Sequence, residues 1–214
     1  NPDCQFKLKT IFTLYDAINQ NRNISVLTSK TLDKKNRLSD RHGYFISTFS
    51  KKNYFENLIL KQVDFIIGHF FIIKGDIFKK VGFFDENIFL NYEEIDLFKR
   101  LQKQNYKIFI HKKTEIKHLD GQSCFTKKNK LRSLIEVTKC SKWHLAWSKY
   151  YYYKKNYNFT LAIIIIKFFL LKSISQLIYF FLIGDLQKRD LALSFIKGSL
   201  ASLLNKKSFY RPKI

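Results

Sequence analysis

Residues 68–123 read GHFFIIKGDIFKKVGFFDENIFLNYEEIDLFKRLQKQNYKIFIHKKTEIKHLDGQS, and the order of elements in this stretch decides the fold class. The apolar run from His69 to Ile73 has the length of a buried strand. Asp76 is placed to cap a short helix, and Gly82, lacking a Cβ, suits a left-handed stop at its end. In NYEEIDLFKRLQKQNY, Asn91 is the expected N-cap and Glu94 lies three residues on, while Lys99 and Arg100 sit further along. This predicts a helix over 93–104, ended at Asn105. KIFI and TEIKH, within 107–118, read as two short strands.

The alternation continues upstream. Phe6, Ile11, Leu14, Tyr15 and Ile18 recur at helical spacing, and ISVLTS, 24–29, reads as a buried strand. A polar loop over 30–43 precedes an edge strand or hairpin arm over 44–49, and 63–67 forms a further apolar run. Helix and strand signals in turn predict an α/β layered domain over 1–126 with a mixed sheet. From 127 the strand-like alternation stops, so 127–214 is expected to be a helical, membrane-associated tail. Its segment 159–183 is apolar, but Lys167, Lys172 and Gln176 interrupt it and would cost several kcal/mol at a bilayer centre. With Tyr150–Tyr153, Lys154 and Lys155 just before it, an interfacial helix is expected rather than a span.

Composition bounds the partners. The 214 residues carry 39 Lys+Arg against 17 Asp+Glu, a formal charge of +22 that favours polyanions: nucleic acid, an anionic membrane or phosphorylated substrates. Lys, Ile, Asn, Phe and Tyr are abundant together while Met, Pro and Gly are scarce, however, and A/T-rich codons alone can produce that balance. Cys4, Cys124 and Cys140 show neither C-x-x-C spacing nor an even count, so reduced thiols in a cytoplasmic protein are expected. The chain has no Met and opens on Asn1 inside a motif, so residues upstream of Asn1 are expected, and nothing at the start resembles a secretory signal.

Five features occur in order: the triplet Asn1-Pro2-Asp3, Gly68 before an apolar strand, Gly82-Phe83-Phe84-Asp85-Glu86, the acidic cluster Glu93-Glu94-Ile95-Asp96-Leu97 opening a helix, and His118 before the LDGQS turn. Each has a plain structural explanation. Asn-Pro-Asp makes turns, Glu94 can complete a capping box with Asn91, and Asp96 can face a helix dipole. Together, over about residues 1–123, they resemble the acceptor-side half of family 2 glycosyltransferases of the GT-A type, particularly bacterial rhamnosyltransferase-like members.

The resemblance implies a partial GT-A, Rossmann-like fold followed by the helical tail, and an inverting transfer of a rhamnose-like or other hexose. The donor would be a dTDP- or UDP-sugar, and the acceptor a saccharide or polyprenyl-linked saccharide in cell-wall or lipopolysaccharide synthesis, at the cytoplasmic face of the inner membrane. It implies that Asn1 and Asp3 face the donor and that Asp3 and His118 hold Mg2+ or Mn2+. Glu94 would be the general base, although most members carry Asp there. Glu93, Asp96 and Gly68 would line the acceptor site. The half that holds the nucleotide base would lie upstream, leaving the isolated chain inactive.

Two rivals lack catalysis: a basic, aromatic nucleic-acid-binding protein and an anionic-membrane-binding scaffold. No RNP, K-homology or helix-turn-helix signature is present, and the acidic cluster would repel phosphate, so no nucleic-acid partner is expected.

Overall fold

The computed structural model describes residues 3–39, 41–45, 54–119 and 130–211. In chain order the elements are Cys4–Gln5 (β1), Leu8–Gln20 (α1), Val26–Leu32 (β2), His42–Gly43 (β3), Leu60–Val63 (β4), Phe65–Ile66 (β5), Ile72–Ile73 (β6), Gly75–Val81 (α2), Glu93–Lys103 (α3), Ile108–His118 (β7), Lys130–Asn156 (α4), Phe159–Leu182 (α5) and Leu186–Leu203 (α6). The chain divides into two compact units, one of Asn1–Phe84 with Glu94–Ser123 and the other of Asp85–Glu93 with Cys124–Ile214. The stretch 85–93, placed by sequence within the first part, belongs to the second unit.

The first unit is α/β with a mixed sheet organised by β7. One edge of β7 pairs in parallel with β2, which pairs antiparallel with β6. Its other edge receives β4 along Ile108–His111 and β1 at Lys117–His118, both antiparallel. The expected two strands over 107–118 are thus one strand carrying a bulge. Ser29 pairs with His111 but Lys30 with Glu115, so residues 112–114 have no opposite number on β2. A hydrogen bond between Ser29 Oγ and Thr114 Oγ1, 2.8 Å, closes the bulge.

Helix α1 lies against β2 and β7 because Leu14 and Ile18 fall one turn apart on a single face. They join Ile24, Leu27 and Phe109 in a core cluster. Burying side chains of this size is worth about 1.5–3 kcal/mol each. The segment 60–66 contains two short strands and 42–43, inside the expected loop, a third; 44–45 carry none, and 46–49, the remaining four of the six residues of the expected edge strand, lie outside the described residues.

At α2, Gly82 takes the expected left-handed conformation, φ 89°, and its N–H returns to the Lys79 carbonyl. The N-cap, however, is Lys74; Asp76 sits in the first turn, where its charge meets the dipole. Arg100 of α3 then donates to the carbonyls of Val81 and Phe83 and so caps α2 from outside. Asn105 ends α3 in a left-handed conformation, φ 61°.

In the second unit α4, α5 and α6 pack together. Ser194, Gly198 and Ser202 recur every fourth residue of α6, and they let it approach α4 closely. Ser202 Oγ donates to Trp147 O at 2.9 Å, and a Cβ on Gly198 would lie 2.1 Å from Trp143 O. His144 is fully buried between Ser208 Oγ and Tyr210 O. A carbonyl only accepts, so Nε2 carries the proton and Nδ1 accepts from Ser208. Its role is structural.

The segment 85–93 is fixed to α4. Asp85 accepts from Lys155 Nζ, 2.7 Å, and from Tyr151 OH, 3.0 Å. Burial works to raise its carboxyl, but the Lys155, Asn87 and Tyr151 hydrogen bonds overcome it and hold the group down at about 2. Asn91 does not cap α3: it and Tyr92 are left-handed, at φ 63° and 69°, and its side-chain amide donates to Ser141 O.

Candidate active site

The site starts from a strand of two residues. β1 sets Cys4 opposite His118 and Gln5 opposite Lys117, and the Leu119 N–H donates to Asp3 O at 2.9 Å. That register brings Asp3 Oδ1 to 3.3 Å from His118 Nε2, with both residues buried. A ligating atom from each of Asp3, Cys4 and His118 lies within 4.8 Å of the others. Burial, aided by the Asp3 carboxylate, pushes the Cys4 thiol up, so it stays protonated and donates to His69 O at 3.4 Å. Cys4 and Cys140 are free thiols; Cys124 lies outside the described residues.

No sequence motif surrounds His69. In the structure its ring lies 4.9 Å from that of His118, and its Nε2 shares a hydrogen bond of 2.7 Å with Thr31 Oγ1. One residue earlier, the Gly68 N–H points at Glu94 Oε1 at 3.5 Å, the long limit of a hydrogen bond. A Cβ on Gly68 would stand 3.0 Å from Glu94 Cβ and 3.1 Å from Cγ, so the missing side chain is what admits the glutamate. Consecutive residues thus touch the two candidate centres, with Gly68 against Glu94 and His69 against His118. Thr28 Oγ1 anchors the same turn by donating to Phe70 O at 2.7 Å, and Phe71 meets Phe98 of α3 edge-on at 5.4 Å.

Glu94 is half-buried, and its Oε2 has no hydrogen-bond partner among the described residues. Leaving such an oxygen covered and unsatisfied costs about 1–3 kcal/mol, which singles it out for explanation. Glu93 is half-buried and belongs to the second unit. Asp96 corrects the expectation of an acceptor contact. It is 0% exposed and binds Arg100 Nε at 2.9 Å, so its carboxylate has no face for a sugar and instead holds the guanidinium that caps α2. Asn1 lies outside the described residues.

The donor set fits a divalent cation. A carboxylate and an imidazole suit Mn2+, and Mg2+ where oxygen ligands complete the shell; two protein ligands leave positions for phosphate oxygens. The protonated thiol of Cys4 is a poor ligand as it stands.

No protein-family model matches the chain, and no curated protein matches it. Among solved structures it is similar to the crystal structure of GalNAc-T7 with UDP, GalNAc and Mn2+, at a TM-score of 0.40 and 12% identity, over 69% of this chain and 32% of that one.

Proposed function

We propose that this chain is the acceptor-side part of a metal-dependent, inverting glycosyltransferase of the GT-A type, similar to family 2. The observation that carries the reading is the Asp3–His118 approach. Two residues singled out in the sequence for one ion, at opposite ends of the first unit, come within 3.3 Å through strand pairing. Asp3 and His118 would hold the ion, which would neutralise the diphosphate of a dTDP- or UDP-sugar. Glu94 takes the proton from the acceptor hydroxyl as that oxygen bonds to the anomeric carbon; the bond from that carbon to the diphosphate oxygen breaks, and the diphosphate leaves with the electron pair. The Gly68 N–H, 3.5 Å from Oε1, would orient the Glu94 carboxylate for that role. Rhamnose or another hexose is the sugar class, and a saccharide is the acceptor.

Mn2+ binding tests the centre. In the full-length protein, titration followed by the free-Mn2+ paramagnetic resonance signal should give saturable binding, with Asp3→Asn and His118→Ala each weakening it by about tenfold to a hundredfold. Binding that both variants leave unchanged would place the ion elsewhere.

The second unit supports attachment to a membrane surface, at the cytoplasmic face of the inner membrane, where a lipid-linked acceptor would be met. α5 is long and apolar enough to cross a bilayer by length and composition, yet Lys167 and Lys172 favour the interface. Ile164, Phe168, Leu171, Ile178 and Leu182 are exposed. At about 100° per residue they form one stripe, with Lys167 and Lys172 along its two margins. Phe168→Glu combined with Leu171→Glu should reduce co-sedimentation with phosphatidylglycerol vesicles by about tenfold or more, since each apolar group buried in lipid is worth about 1.5–3 kcal/mol. Equal sedimentation would refute the interfacial assignment.

A further inference from the structure

The first unit carries a partly open pocket of about 200 Å³, well beyond what one water needs. Lys30, Arg41, Lys61 and Lys112 line it, and Glu56 is the carboxylate among its lining residues. Two of the cations are matched: Lys30 Nζ lies 3.1 Å from Glu115 Oε1, and Lys112 Nζ lies 2.9 Å from Glu56 Oε1. Lys61 is matched differently. Its ammonium lies 3.0 Å from His42 Nε2, and its charge also acts on the Glu56 carboxylate that pairs with Lys112, so one carboxylate is shared between two lysines.

Like charges gathered around a partly open pocket repel one another, and an anion placed among them relieves that repulsion. The bulge in β7 is what adds Lys112 to them. Without an extra three residues opposite Ser29 and Lys30, the strand would continue its pairing and carry no lysine to Glu56. The Ser39 hydroxyl also lines the cavity; it accepts from Arg41 Nε, which leaves its own proton to donate to an oxygen ligand.

His69 belongs to both places: it lines the cavity, and its ring lies tilted 4.9 Å from that of His118.

We infer that this cavity binds the anionic substituent of a sugar, a phosphate monoester or a carboxylate, and that the acceptor therefore belongs to the acidic saccharides. The word acceptor rests on the transferase reading; anion binding does not. A group held among Lys61, Lys112 and Arg41 would leave the sugar's hydroxyls on the side of His69 and the Gly68 turn that holds Glu94.

Isothermal titration of the full-length protein without added metal would use glucose 6-phosphate, glucuronate and glucose. The anionic sugars should bind at least about tenfold more tightly than glucose, in keeping with charge-assisted hydrogen bonds, and the tighter of the two names the source of the charge. Lys61→Gln and Lys112→Gln should each weaken that binding by about tenfold, and Lys61→Arg should retain most of it. Circular dichroism would check that the variants are folded, and Lys61→Arg supplies the comparison if Lys112→Gln is not. Equal affinity for all three sugars, or wild-type affinity in Lys61→Gln, overturns the proposal. Anionic-sugar binding without Mn2+ binding would retain the cavity and reject the transferase reading, and the converse would do the opposite.

Discussion

Glu94→Gln should lower sugar transfer by the full-length protein by about 10²–10⁴-fold, the usual loss when a positioned general base is removed, while Mn2+ affinity stays within about twofold of wild type. The amide keeps the volume of the side chain and an oxygen for the Gly68 N–H, so the packing at 3.0–3.1 Å from Gly68 is preserved. What disappears is the basic lone pair at the covered Oε2. Transfer rates from a dTDP- or UDP-sugar, measured at saturating acceptor, decide the matter. Turnover equal to wild type would remove Glu94 from the chemistry and leave it as the packing partner of Gly68.

The second large effect is on stability. Gly198→Ala should destabilise the helical unit by about 3 kcal/mol, which for a unit of this size corresponds to roughly 12–24 °C in melting temperature. The methyl group would fall 2.1 Å from the Trp143 carbonyl oxygen, a backbone atom that cannot rotate away, so α6 must move off α4. That movement also strains the 2.9 Å bond from Ser202 to Trp147 O. Gly75→Ala is the comparison, because nothing lies within 4 Å of a Cβ there. Scanning calorimetry or a thermal melt followed at 222 nm would read both, and an unchanged melt for Gly198→Ala would mean that the close α4–α6 crossing does not form.

Local elements were legible where one face alone decides them. Leu14 and Ile18 marked the buried face of α1, and Gly82 and Asn105 marked helix ends because left-handed backbone leaves few residue choices. The i,i+4 spacing of Asp96 and Arg100 was visible too, yet whether a carboxylate in a first helical turn meets solvent or a guanidinium depends on where Val81 and Phe83 fall. The continuity of β7 was not legible, since its bulge depends on the register of β2, a long-range pairing. Neither was the transfer of 85–93 to the helical unit, which rests on Asp85 meeting Tyr151 and Lys155 far along the chain.

The candidate site divides in the same way. Asp3, Glu94 and His118 were singled out by a resemblance carried by motifs in a fixed order, and the structure brings Asp3 and His118 together. His69 and the basic cavity were missed, since an isolated histidine and scattered lysines have no spacing signature until the sheet gathers them.

The pairing of β1 with the end of β7 also orders events in time. Asp3 is synthesised before His118, so at about 5–20 residues per second a ribosome makes the first some 6–23 s before the second exists. During that interval the Asp3 carboxylate lacks the imidazole that strand pairing sets beside it. If these two residues hold the proposed ion, its capture would wait until the strand that carries His118 has been made and docked, and loading would report that the first unit has finished folding.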